Sequence, residues 1–146
     1  MPTIKDVRIT PIAFRDPPLL NVAGVHQPWA LRSIIEIETS EGLIGLGESY
    51  GEPQTLADLA AVQSRLHGLD VFNLNALARI VYESVDTDAP GIGEPYVAKD
   101  TRRRATAIAA FEVAMLDLQG QIVGRERAHA FIIHWGRAAM LDDRRA

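Results

Sequence analysis

The stretch IIEIETSEGLIGLGES, residues 34–49, decides the fold of this 146-residue chain. Its first part alternates isoleucine with glutamate, which is the period of a strand that buries one face. The residues SEG at positions 40–42 then form a turn signal, with Gly42 where a positive φ is favoured. A second short strand is expected over residues 43–47. The stretch therefore predicts a β-hairpin.

A further strand is predicted ahead of this hairpin. Between Ile4 and Phe14, Val7 and Ile9 alternate with polar neighbours, and Pro11 marks either an edge strand or a strand end. Three strands that follow one another in the chain predict an antiparallel meander.

Three helices are predicted after the sheet. The first is expected to have Thr55 as its N-cap and to end at Gly68, the second begins at Asn73, and the third begins near residue 100 and ends before Gly124. The third helix carries an apolar stripe at steps of three and four, formed by Ile108, Phe111, Met115, Leu118 and Ile122. The predicted fold class is α+β, a three-stranded antiparallel meander followed by a helical bundle.

Composition excludes several classes of protein. The net charge of -4 and the pI of about 5.5 argue against a nucleic-acid binder, which needs a basic face. The absence of cysteine excludes disulfides and thiolate metal sites. No apolar run reaches the roughly 20 residues that span a bilayer, and the start MPTIKDVRIT is not a secretory signal. We expect a cytoplasmic protein that binds neither nucleic acid nor membrane.

Three blocks of sequence resemble the enolase superfamily, in the right order and at the right spacing. GLIGLGE at residues 42–48 resembles the second and third strands of the superfamily's N-terminal capping domain. A-x-x-A-F-E-V-A-M-L-D-L-Q-G-Q at residues 107–121 resembles the long helix that leads into the barrel. LLNVAGVHQP at residues 19–28 is similar to the substrate loop of the glucarate dehydratase group, which is of the mandelate racemase/muconate lactonizing type. The resemblance covers residues 4–124.

The resemblance implies a metal-dependent carbon–oxygen lyase as the whole enzyme. In such an enzyme a lysine or histidine base removes the proton next to a carboxylate, Mg²⁺ stabilises the enediolate, and a β-hydroxyl leaves. These groups lie on the strand ends of an (α/β)8 barrel of about 250 residues. The chain has no room for that barrel after a capping domain at residues 1–124.

The residue types agree with this reading of the length. The family uses a lysine-x-lysine pair, whereas the only lysines here, Lys5 and Lys99, are far apart. The acids that follow Gly124 are Glu126, Asp142 and Asp143, without surrounding βα units. We therefore predict no catalytic residue, no metal ligand and no cofactor in this chain, and no lyase activity from the chain alone.

Four residues are candidates for substrate binding through the resemblance. Asn21 and His26 match an asparagine and a histidine on the mobile loop that contacts the diacid sugar in the glucarate group. Tyr96 and Thr101 lie near a further contact that precedes the long helix. The alternatives are ordinary polar loop residues and, for Thr101, a helix cap. The arginine run at residues 102–104 is interpreted as a solvated face.

Residues 125–146 have no strand or helix period and form a non-family tail. A shifted reading frame or another truncation would produce such a tail. Two alternatives are a small protein that reused the cap and one chain of a two-chain enzyme. The predicted function is that of a capping and specificity domain, inactive alone; the competing function is a binding or association module. Without a barrel, we expect the apolar stripe of the third helix to stay partly uncovered and to cause self-association.

Overall fold

The isoleucine–glutamate alternation forms the central strand of a three-stranded antiparallel sheet with strand order β1-β2-β3. The structure, a computed structural model, describes residues 1–15, 29–85 and 99–124, with the backbone alone at 99–101. The elements are β1 (Ile4–Arg15), β2 (Trp29–Thr39), β3 (Ile44–Tyr50), α1 (Pro53–Gln63), α2 (Leu74–Ser84) and α3 (Lys99–Ile122). The predicted α+β meander and helices are confirmed, and the described residues contain no barrel.

The predicted hairpin joins β2 to β3. Gly42 has a φ of 82°, a left-handed conformation that glycine adopts without a steric penalty, and its N–H donates to the Thr39 carbonyl at 3.0 Å. Ile35 and Ile37 of β2 are fully buried. Glu36 points to the opposite face of the sheet, as the period of two requires.

The two edge strands are protected in different ways. Pro11 lies in β1, an edge strand, so its missing N–H removes a donor that a further strand would need. The edge of β3 is covered by side chains of α3. The N–H of Leu46 donates to Asp117 Oδ2 at 2.9 Å, and Gln121 Nε2 donates to the Ile44 carbonyl at 2.8 Å.

Helix α3 runs antiparallel to β3 and packs directly on its backbone. Gly45 faces Ala114, whereas Gly47, two residues later in the strand, faces Ala110, four residues earlier in the helix. The strand and the helix therefore run in opposite directions. Small residues on both sides allow this close approach, which explains the Gly-x-Gly spacing in the quoted stretch.

The middle of the apolar stripe of α3 is covered by the domain itself, and partial exposure, which we expected for the stripe as a whole, is confined to its two ends. Phe111, Met115 and Leu118 are fully buried, and Ile108 and Ile122 pack against the core. The sheet supplies Ile4, Ile35 and Ile37 to this core, and α1 and α2 supply Leu59, Val62, Leu77 and Val81. The sheet and the two shorter helices therefore cover the middle of this face of α3, while Ile108 and Ile122 at its ends stay partly exposed.

The predicted start and end of α1 were wrong. The helix begins at Pro53 after Glu52, whose side chain makes no capping bond, and proline suits a first helical turn because its missing N–H has no partner there. It ends at Gln63, and Gly68 serves the turn that follows. The predicted cap of α2 is confirmed, because the Asn73 side chain accepts from the N–H of Ala76.

Candidate functional site

The antiparallel topology gathers several chain segments at one end of the domain. Arg15 pairs with Trp29, so β1 ends beside the start of β2, and Arg32 pairs with Tyr50 at the end of β3. Because α3 runs antiparallel to β3, the first turns of α3 lie at this same end. We call this region, formed by Arg15, Trp29, Tyr50, Glu52 and the first two turns of α3, the loop-bearing end.

A cleft of about 290 Å³ opens beside Tyr50 at the loop-bearing end. It lies between the end of β3, the first half of α1 and the start of α3. Its polar lining consists of Tyr50, Glu52, Gln54, Thr55, Asp58, Arg102, Arg103 and Thr106. Such a mixture of guanidinium, hydroxyl, amide and carboxylate groups suits a polar ligand with several oxygens.

An ion pair forms one wall of this cleft. Arg103 Nε donates to Asp58 Oδ2 at 2.9 Å and Arg103 Nη2 donates to Asp58 Oδ1 at 2.5 Å. Gln54 Nε2 donates to the same Oδ1 at 3.0 Å. Asp58 is only 7% exposed. The interpretation of the whole arginine run as a solvated face was therefore wrong for Arg103.

The neighbouring members of the arginine run behave differently. The Arg104 guanidinium lies over the Tyr82 ring, 4.9 Å from its centroid, which is a cation–π distance. Arg102 is exposed and lines the cleft. A helix start disfavours cations, and the arginine run was therefore the signal in the sequence that an acid lies nearby.

Tyr50 is held at the rim of the cleft by contacts on β2. The Arg32 guanidinium lies 5.3 Å from the centroid of its ring, and Arg32 Nε pairs with Glu48 Oε1 at 3.2 Å. The buried Ser33 hydroxyl donates to the Tyr50 carbonyl at 2.9 Å. Glu48 thus forms an ion pair with the neighbouring strand of the sheet.

The structure describes only part of the predicted substrate site. Asn21, His26 and Tyr96 lie outside the described residues. Thr101 belongs to the first turn of α3, at the loop-bearing end. Asp58 and Arg103, which line the cleft beside this turn, were not predicted as site residues.

The described residues offer no metal site: within residues 1–15, 29–85 and 99–124, no group of three or more histidine or acidic side chains is placed to hold an ion. The donor set of a magnesium centre therefore does not fit this part of the chain. None of the helices in these ranges is long and apolar enough to cross a membrane.

Comparison with known proteins identifies the fold. The model of the mandelate racemase / muconate lactonizing enzyme N-terminal domain matches residues 5–126. The chain belongs to this family. Its resemblance to the enolase superfamily is confirmed.

Three relatives illustrate the similarity. A protein of Streptomyces coelicolor described as "Probable glucarate dehydratase" is 38% identical over 130 residues, which are 84% of this chain and 30% of the relative. The crystal structure of an enolase from Pseudomonas fluorescens with magnesium, potassium and tartrate is 52% identical, with a TM-score of 0.76 over 84% of this chain and 30% of that one. The crystal structure of an enolase from Thermobispora bispora with magnesium and formate is 46% identical, with a TM-score of 0.77 over 88% of this chain and 31% of that one.

The relatives are much longer than this chain. The chain spans about three-tenths of the length of the relatives that it matches. Structures of those longer relatives hold magnesium. The expectation of magnesium for the full-length family is therefore confirmed.

Proposed function

We propose that residues 1–124 form the capping and specificity domain of an acid-sugar dehydratase of the glucarate type. The observation that carries the proposal is the convergence of segments at the loop-bearing end. The chain segment that contains Asn21 and His26 leaves the sheet at Arg15 and returns at Trp29, at the same end of the sheet as Tyr50 of the cleft and the first turn of α3. A cap that contacts substrate with several loops needs this arrangement.

The similarity to longer relatives supports the acid-sugar class. One relative is described as a glucarate dehydratase, and another was crystallised with tartrate, a small hydroxy diacid. We propose that Asn21, His26, Tyr96 and Thr101 donate hydrogen bonds to the oxygens of such a diacid. The barrel that supplies the base and Mg²⁺ is a further part of the functional enzyme.

A domain boundary at Gly124 is part of the proposal. Helix α3 ends at Ile122, and Gly124 has a φ of 73°, as is common for the glycine that terminates a helix. Residues 125–146 then form a tail that does not belong to the cap. We further propose that the cap acts in the cytoplasm.

The test is reconstitution with a barrel. The pure chain is mixed with the barrel portion of the Streptomyces coelicolor relative, Mg²⁺ and glucarate, and consumption of glucarate is measured. We expect turnover only from the mixture, and none from the chain alone. Turnover by the chain alone, or none from a mixture in which the two parts bind each other, would refute the proposal.

A second candidate function, association with another copy or another protein, is favoured by the apolar side chains at the loop-bearing end. Phe14 is 47% exposed and Trp29 is 53% exposed. They lie on β1 and β2 beyond the end of β3, where the sheet has only two strands. A two-stranded sheet is seldom stable in water unless another element packs on it. Association without restored turnover would favour this second function.

A further inference from the structure

The ion pair between Asp58 and Arg103 is the most fully satisfied polar contact between helices at the cleft. The two residues lie 45 positions apart in the chain, on α1 and α3. Asp58 accepts three hydrogen bonds, two from Arg103 and one from Gln54. The side chain of Arg103 is 22% exposed, so water screens this pair far less than it screens the pairs on the sheet surface.

The geometry of this pair is directional, in contrast to the packing that surrounds it. Around the pair, α1 and α3 contribute Leu59, Val62 and Ala107 to the buried apolar core. Apolar packing tolerates small sliding and rotation, whereas the planar fork of an arginine on a carboxylate holds two elements in one relative orientation.

The pair is also placed where orientation matters for the cleft. Asp58 and Gln54 belong to the helix that begins directly after the rim residues Tyr50 and Glu52. Arg103 follows Thr101 by two positions on α3. The pair therefore ties α1, shortly after the β3–α1 turn, to the start of α3 along one wall of the cleft.

We propose that Asp58 and Arg103 are positioning residues, which hold the first turn of α3 against α1 and so set the shape of the substrate-facing cleft. The part of this inference that concerns substrate rests on the proposed function. Neither residue takes part in chemistry; each acts through the segments that it orients.

Replacing the ion pair by apolar residues distinguishes an effect on the shape of the cleft from an effect on the stability of the domain. Replacing a buried ion pair by apolar residues of similar size often leaves stability unchanged or raises it. The test variant combines Asp58→Leu with Arg103→Met in the full chain. The matched control combines Glu36→Leu with Arg8→Met, which removes an exposed pair on the sheet, with Arg8 67% exposed.

Hydrogen exchange of the chain alone gives the first readout. We expect the test variant to keep the melting temperature of the wild type, while the hydrogen-bonded amides of residues 56–60 and 103–106 exchange about tenfold faster or more. The control should leave these rates unchanged. Unchanged protection at both segments of the test variant would overturn the inference.

A milder variant covers the case in which the double variant does not fold. Arg103→Lys keeps the charge but loses the bidentate fork. We expect the same two segments to exchange faster, by a smaller factor, in a folded chain. Wild-type exchange in this variant would also contradict the positioning role.

The reconstituted mixture gives the second readout. If the wild-type chain restores turnover, we expect the test variant to raise KM for glucarate about tenfold while kcat changes less than twofold, because binding geometry rather than chemistry is altered. An unchanged KM would overturn the substrate part of the inference. If the wild-type chain binds the barrel but restores no turnover, the proposed function fails, while the exchange rates still decide whether the pair positions the cleft.

Discussion

Gly45 of β3 faces Ala114 of α3 so closely that a β-carbon at residue 45 would overlap the Ala114 carbonyl oxygen and lie 2.5 Å from Leu118 Cγ. The helix backbone thus rests on the strand backbone. This contact brings the stripe of α3 into the core and lets Asp117 reach the free edge of β3.

Replacing Gly45 with alanine should destabilise the domain by about 3 kcal/mol, because the new methyl group meets backbone that cannot move aside. The free energy of unfolding in urea measures this loss. Gly42→Ala is the control: its φ of 82° is unfavourable, but open space surrounds it, so we expect a loss of about 1 kcal/mol. Equal losses at the two positions would contradict the packing argument.

Two leucines on α3 test how the stripe is buried. Leu118 is fully buried and Leu116 is 44% exposed. We expect Leu118→Ala to cost about 3 kcal/mol of unfolding free energy, because it leaves a cavity, and Leu116→Ala to change it by less than about 0.5 kcal/mol. A large effect at Leu116 would show that this face is covered in solution.

The pKa of Lys5 should depend on Glu38. A hydrogen bond from Lys5 Nζ to Glu38 Oε1, 2.6 Å long, and the charge of that carboxylate raise the pKa of Lys5 above its ordinary 10.5. The resulting stabilisation is complete below pH 10.5 and is lost as the pH rises through the raised value. NMR titration of Glu38→Gln should show the Lys5 pKa lowered towards 10.5, and Glu36→Gln should leave it raised.

The chain should associate through the loop-bearing end. Phe14 and Trp29 place aromatic surface in water, and such surface favours association. Sedimentation should show a mass that rises with concentration, and Phe14→Ser with Trp29→Ser should reduce the rise. We expect deletion of residues 125–146 to strengthen it. A concentration-independent monomer for the wild type and the deletion would disprove this prediction.

The predicted substrate residues can be tested in the reconstituted mixture. Asn21→Ala and His26→Ala should each lower kcat/KM for glucarate about tenfold or more, because each removes a hydrogen bond to the diacid. Neither should change the melting temperature of the cap. Asn73→Ala is the control. It removes the N-cap of α2, so it should lower the melting temperature and leave kcat/KM for glucarate unchanged. Wild-type kcat/KM in both variants would exclude Asn21 and His26 from the site.

The elements with a local signal were predictable. The alternation around Ile35, the turn at Gly42 and the stripe through Phe111 each depend on neighbours within a few residues, and each formed as predicted. The start of α1 was mispredicted because Thr55 was taken as the N-cap, with Asp58 three residues on, where the acid of a capping box would lie. The Asp58 carboxylate instead turns inward to Arg103, and no local rule decides between these two partners.

The candidate site was predictable only through family resemblance, and only in part. The motif at residues 19–28 suggested Asn21 and His26, but no spacing in the sequence shows that this segment leaves the sheet at the end where α3 begins. That follows from the pairing of Arg15 with Trp29 and from the antiparallel path of α3. Antiparallel topology, not sequence distance, brings these segments to one end.

By itself, the sequence determined the α+β class, the order of the strands and the family, because periodicity and motifs are properties of neighbouring residues. Only the tertiary structure decided which charges are paired and which apolar residues stay exposed. Asp58 meets Arg103 across 45 residues, and Leu46 meets Asp117 across 71. Whether a charged side chain is solvated or buried depends on the partner that packing places beside it, and the free energy of burial is a property of that whole arrangement.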